Sequence, residues 1–79
     1  MRQISDQALG DAVLGFLEYN LKQYGKARDY LEKAIRLDPE FGEAYAYLSV
    51  VQKQLGNQQD ADIYRRKAEE YGMDWLMNQ

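Results

Sequence analysis

The chain has 79 residues, a formal net charge of −3, no Cys and no His. Without Cys there is no disulfide framework or cysteine-built metal site. Without His the commonest general base and the commonest neutral metal ligand are both missing. The acidic balance argues against a nucleic-acid or anionic-membrane surface, and the length predicts one domain with a thin core.

Helical periodicity appears four times. The first helix is expected from Ser5 or Asp6, either of which can cap it, to about Lys22. Leu14, Leu17 and Leu21 form one apolar stripe on it, and Leu9, Val13 and Phe16 a second. The next helix is expected over Tyr24 to Leu37, with Ala27, Tyr30, Leu31, Ala34 and Ile35 inward. Glu18–Lys22, Asp29–Lys33 and Glu32–Arg36 are acid-first pairs at i,i+4, each supporting helix by about 0.2–0.5 kcal/mol. Asp38 and Pro39 are expected to end this helix and to start a third as N-cap and N1. The third runs to about Leu55, and Gly56-Asn57 marks a turn. The fourth covers about residues 58–71, closed by Gly72 in the C′ role. Strand-like alternation is nowhere sustained, so the chain is all-α. Every connection is short, which makes consecutive helices antiparallel neighbours.

The segments repeat. Leu14 recurs as Leu48, Ala27 as Ala61, Tyr30 as Tyr64, Ala34 as Ala68 and Phe41 as Trp75, each pair 34 residues apart. A helix-turn-helix unit of that length resembles the tetratricopeptide repeat. The first unit, about 8–41, supplies Leu14-Gly15, Tyr19, Ala27, Leu31, Ala34 and Pro39. The second, about 42–75, supplies Tyr45, Leu48-Ser49, Gly56, Ala61 and Ala68, and residues 76–79 remain as a tail. Lys22 stands where the first turn Gly is usual, Arg65 replaces the large apolar residue of the second helix, and Met73 replaces Pro. The resemblance implies two tandem units, a fragment of a right-handed α-solenoid with a short C-terminal capping stub. A plain four-helix bundle is the alternative with the same binary pattern.

On this reading Gly15 and Ser49 are small because a neighbouring helix comes close. Ala27 and Ala34 let paired backbones meet, while Leu14, Leu21 and Tyr30 fill the space beside them. Leu31, Ile35 and Leu37 are expected to meet the next unit around Tyr45 and Leu48. The two units differ in a directed way: Leu31 corresponds to Arg65, Ile35 to Glu69 and Asp29 to Ile63. Terminal units of solenoids carry a polar outer face, so the array is expected to end near Tyr71. The run Arg65-Arg66-Lys67 is then a solvated cap first and an acidic-ligand patch second. Trp75 and Leu76 either seal the last helix pair or dock on another chain.

Function follows from the resemblance, which implies a groove lined mostly by the first helix of each unit. Carried onto this chain, it implicates Leu9, Ala12, Phe16, Tyr19 and Asn20, then Glu43, Ala46, Val50 and Lys53. The expected partner is a protein or peptide, with Phe16 and Val50 as apolar contacts and Asn20, Glu43 and Lys53 as orienting groups. One subclass grips acidic chaperone C-termini with a clamp of Lys, Arg and Asn. Here those positions hold Ala12, Phe16, Tyr47 and Val50, so the clamp is absent. Catalysis fails on inventory: no nucleophile motif and no glycine-rich phosphate loop are present, and Glu40 and Glu43 lack a neighbour that would tune them. No cofactor or metal is expected. Because each unit buries its apolar face only against neighbours, a homodimer through the exposed face of the first helix, with or without exchanged helices, is expected. The alternative is a self-assembly module or a fragment of a longer array. No apolar run is long enough to span a bilayer, and MRQISDQALG lacks a signal peptide's apolar core. A cytoplasmic protein is the default.

Overall fold

A computed structural model describes residues 3–72. They form four helices, α1 (Asp6–Asn20), α2 (Tyr24–Leu37), α3 (Gly42–Gln54) and α4 (Gln58–Glu70), and among the described residues there is no strand. The expected stub around Trp75 lies outside the described residues.

At the start of α1 the Ala8 N–H donates to Ser5 Oγ at 3.2 Å, so Ser5 is the cap and Asp6 sits in the first turn, where the helix dipole favours it. The ends of α1 and α3 show the repeat in the backbone. Lys22 N–H donates to Tyr19 O at 2.9 Å and Gln23 N–H to Glu18 O at 2.8 Å. Thirty-four residues on, Gly56 N–H donates to Lys53 O at 3.1 Å and Asn57 N–H to Gln52 O at 2.8 Å. Both are Schellman closures, which need a left-handed residue at C′. Gly56 takes φ 84° without strain, whereas Lys22 takes φ 61° in place of the usual Gly. Having left the helix, Lys22 does not close the expected ion pair with Glu18. Asp29 pairs with its neighbour Arg28 at 3.4 Å rather than with Lys33.

The connection from α2 to α3 corrects the expected cap. Asp38 and Pro39 form a turn before the helix, which begins at Gly42. Phe41 N–H donates to Asp38 O at 3.1 Å, and Glu40 N–H to Asp38 Oδ1 at 3.3 Å. Asp followed by Pro suits the first two positions of such a turn. Tyr45 then reaches back from α3, its hydroxyl donating to Pro39 O at 2.8 Å. Gly72, at φ 88°, occupies the C′ position of α4, as expected.

The core is built from small residues on one helix and a few large ones on the next. Ala8, Ala12 and Gly15 are the buried residues of α1, and Ala27, Leu31 and Ala34 those of α2. A Cβ on Gly15 would lie 2.6 Å from Leu31 Cγ and 3.3 Å from Ala27 O. The second unit meets the same close approach differently. Ser49 Oγ donates to Ala61 O at 2.9 Å, and the large residue that would crowd it is replaced by exposed Arg65. Leu31 and Ala34 of α2 share one core cluster with Ala44, Leu48 and Val51 of α3. α2 and α3 are therefore the interior helices, α2 packed between α1 and α3 and α3 between α2 and α4.

α1 corrects a second expectation. Leu14, Leu17 and Leu21 fill no interior space but are exposed, as are Leu9 and Val13. No helix precedes α1 among the described residues to cover them. Leu37 also points outward, since α2 ends there, and of the three residues expected to meet the next unit Leu31 and Ile35 pack in the core. Tyr30 is half-buried, with Lys33 Nζ 5.6 Å from its ring centre.

Candidate partner-binding groove

The first helices of the two units, α1 and α3, point the same way because α2 returns the chain between them. The aromatic side chains of α1 converge on α3. The Phe16 ring centre lies 4.3 Å from that of Tyr47, and Tyr19 meets Tyr47 edge-on at 5.8 Å. Tyr24, at the start of α2, adds a contact to Tyr19 at 5.9 Å. All four rings are half-buried, so each has a packed side and an exposed side. The two tyrosine pairs, at 5.8 and 5.9 Å, suit the ring quadrupoles, and such pairs stabilise by about 0.5–1.5 kcal/mol beyond area burial.

The nine groove residues expected from the sequence divide into three groups. Phe16, Tyr19 and Val50 are half-buried, and Leu9, Asn20, Glu43 and Lys53 are exposed. Ala12 and Ala46, at 0% and 2% exposure, are corrections. They pack inside the helix pairs, Ala12 in the core cluster with Ala27 and Leu31 and Ala46 with Ala68, and so set how closely the helices approach without reaching a ligand. Tyr47 and Tyr24 complete the ring cluster; neither is among the nine, and Tyr47 entered the sequence reading only as a clamp position. The signal for Tyr47 was its place three residues before Val50, next to the expected groove positions on the α3 helix face.

The polar groups are spread along the surface. Glu43 and Lys53, ten residues apart, stand near opposite ends of α3, roughly 15 Å from one another at 1.5 Å per residue. Asn20, the last residue of α1, lies at the Lys53 end. An extended or helical segment carrying a cation toward Glu43 and an anion toward Lys53 would match this polarity.

The displaced proton affinities lie elsewhere. Burial pushes Tyr45 above its ordinary value of 10.0, with Tyr71, Tyr64 and Glu70 adding to the effect. Burial likewise raises Tyr64, with contributions from Glu32 and Asp60. These phenols form a stack between α3 and α4, with Tyr45 5.8 Å from Tyr71 and 6.0 Å from Tyr64. A weakened acid on a packed tyrosine cluster serves structure and offers no general base near neutral pH. Among the described residues no cluster of three or more Asp and Glu could hold a metal ion.

No helix among the described residues is long and apolar enough to cross a membrane. Comparison with curated proteins and with solved structures gives no match. Residues 12–41 match the model of the tetratricopeptide repeat family, whose members are in general non-catalytic modules for protein–protein interaction. The match begins in α1, takes in the Lys22 turn and all of α2, and stops at Phe41, the cap of α3. Residues 12–41 are a tetratricopeptide repeat, and the four helices are consistent with two such units in tandem.

Proposed function

We propose that the chain is a protein-interaction module that receives a peptide or helix of a partner along the groove formed by α1 and α3. The observation that carries this reading is the half-exposed ring cluster of Phe16, Tyr19 and Tyr47 bridging the two helices. Amphipathic rings of this kind offer a large contact area at low entropic cost and are enriched in recognition surfaces. Leu9 and Val50 extend the apolar strip, and Asn20, Glu43 and Lys53 supply hydrogen bonds and charge at its margins. Adaptor activity in the cytoplasm, without cofactor, metal, nucleic acid or membrane, is the setting this reading assigns.

The test uses the whole chain as bait, with variants chosen so that folding is preserved. Phe16 packs on Tyr47, so the exposed positions are the better probes. Asn20→Ala combined with Lys53→Glu is expected to lose a partner that the unmodified chain captures. Leu17→Glu, outside the groove, is expected to retain it. Capture that survives the first pair and fails with Leu17→Glu would move binding off the groove.

A further inference from the structure

Gly10, Leu14, Leu17 and Leu21 follow at spacings of four, three and four residues, the a/d seam by which one helix lies along another. Leu14, Leu17 and Leu21 are 42%, 54% and 69% exposed, and Gly10 is exposed beside them. In the second unit the matching residues are Ala44, Leu48, Val51 and Leu55. The first three are fully buried, in one cluster with Leu31 and Ala34 of α2. The same surface is thus used inside the molecule on α3 and left bare on α1.

We propose that a second copy of the chain covers this seam, with the two α1 helices antiparallel about a twofold axis. The other helices of a second copy are poor occupants. α2 already lies on α3, and the outward positions of α4 that correspond to Leu31 and Ile35 are Arg65 and Glu69. These two pair with each other at 3.8 Å and would lose hydration against leucines, which disfavours head-to-tail stacking. The α1 seam, in contrast, complements itself. Antiparallel packing sets each a position over a d position, so Leu14 meets the second copy's Leu17 and Leu21 meets the second copy's Gly10. Gly10 has nothing within 4 Å of where a Cβ would stand, and Leu21, at 69% exposure, is the most exposed large apolar residue among the described residues. A parallel pair would instead set glycine on glycine and crowd Leu21 against its own image. The antiparallel arrangement also joins the two Val13 edges. On the opposite edge Asp11 and Glu18 approach their own counterparts. Lys26 and Lys33 line the same hollow as Glu18, so that edge carries both signs. Two helix pairs without disulfide or metal have a thin core, and association is one of the routes that reinforce one.

The test is sedimentation equilibrium combined with cysteine cross-linking, for which a chain without native Cys is suited. The unmodified chain is expected to dimerise without weakening at high salt. Leu17→Glu should raise the dimer dissociation constant by at least about a hundredfold, since two carboxylates would be buried. Its far-UV dichroism should be unchanged, because Leu17 is exposed in the single chain. Leu21→Gln provides a second, milder disruption. On oxidation, Gly10→Cys combined with Leu21→Cys should give a covalent dimer in high yield. The two positions are about 16 Å apart along one helix, so only a bond between chains can form. Leu21→Cys alone should stay uncoupled, because the two copies of position 21 stand about 16 Å apart along the axis, beyond the reach of a disulfide. A chain that stays monomeric up to millimolar concentration would overturn the proposal. So would a dimer indifferent to Leu17→Glu, or complete cross-linking by Leu21→Cys alone, which is the parallel outcome.

Discussion

Lys22 and Gly56 occupy one position of the repeat, and the two solve the same backbone problem unequally. A left-handed L-residue costs roughly 1–2 kcal/mol, partly offset by the lower unfolded-state entropy of a side chain. Lys22→Gly should therefore stabilise the chain by about 0.5–1 kcal/mol in urea unfolding, and Gly56→Ala should destabilise it. Gly15 carries the opposite constraint. Its added Cβ would fall 2.6 Å from Leu31 Cγ, and such overpacking costs about 1–3 kcal/mol, against roughly 1 kcal/mol gained in helix propensity. A net loss of stability is expected for Gly15→Ala, and an unchanged or higher urea midpoint would mean that Leu31 moves aside freely.

Tyr45 gives a pH-dependent prediction at the same scale. Tyr45 and Tyr64 hold their protons above the ordinary phenol value of 10.0, chiefly through burial. The folded chain then binds protons more tightly than the unfolded chain in alkali. Their contribution is intact below about pH 10 and is lost as the pH rises from there through the raised folded values. Urea midpoints taken between pH 8 and 11 should fall only at the alkaline end. Tyr45→Phe should lower stability at neutral pH by about 1 kcal/mol, through loss of the hydrogen bond to Pro39 O, and should make the alkaline fall shallower. A midpoint independent of pH across that range would contradict the assignment.

Among the helices, the instructive comparison is α1 with α3. Leu14 and Leu48 hold the same place in the repeat, yet one is 42% exposed and the other fully buried. Leu48→Ala should cost about 2–5 kcal/mol, as for a core leucine. Leu14→Ala in the monomeric chain should cost less than about 1 kcal/mol, as for a surface change. Equal losses would mean that something covers α1 in the single chain. The sequence showed four helices, the spacing of 34 and the small residues at the contacts, because helical period and steric limits are local and repeat identically. It did not show that the first apolar stripe stays bare. Burial depends on whether a neighbour is present, and the residues of α1 are apolar on the faces that α3 buries whether or not a neighbour exists. Nor did it place the start of α3, because Asp-Pro suits both a helix start and the turn that precedes one, and the Tyr45 hydroxyl bond that accompanies the turn is a tertiary contact.

Across the whole molecule, the two outer faces are opposite in character. The α4 side ends in Arg65 and Glu69, paired and solvated, and the α1 side ends in leucine. The proposed groove lies between these ends on α1 and α3, and its residues were partly legible for a related reason. Family positions mark which residues lie along a helix face, and of those expected, Leu9, Phe16, Tyr19, Asn20, Glu43, Val50 and Lys53 are half-buried or exposed on α1 and α3. They do not distinguish a residue facing the groove from one facing the paired helix a quarter-turn away, which is why Ala12 and Ala46 proved to be packing contacts. Tyr47, named only as a clamp position, stayed off the groove list; the residue in its place on α1 is Val13, which makes no ring contact.

The central claim is that partners are held on the inner face of α1 and α3. The most direct test is the backbone amide spectrum of the isotope-labelled chain, recorded as a captured partner is added. Shifts concentrated at Asn20, Tyr47, Val50 and Lys53, with Arg65 to Lys67 and the α2 surface unmoved, are the predicted result. Shifts confined to α4 or to the turns, with the inner face of α1 and α3 silent, would contradict it.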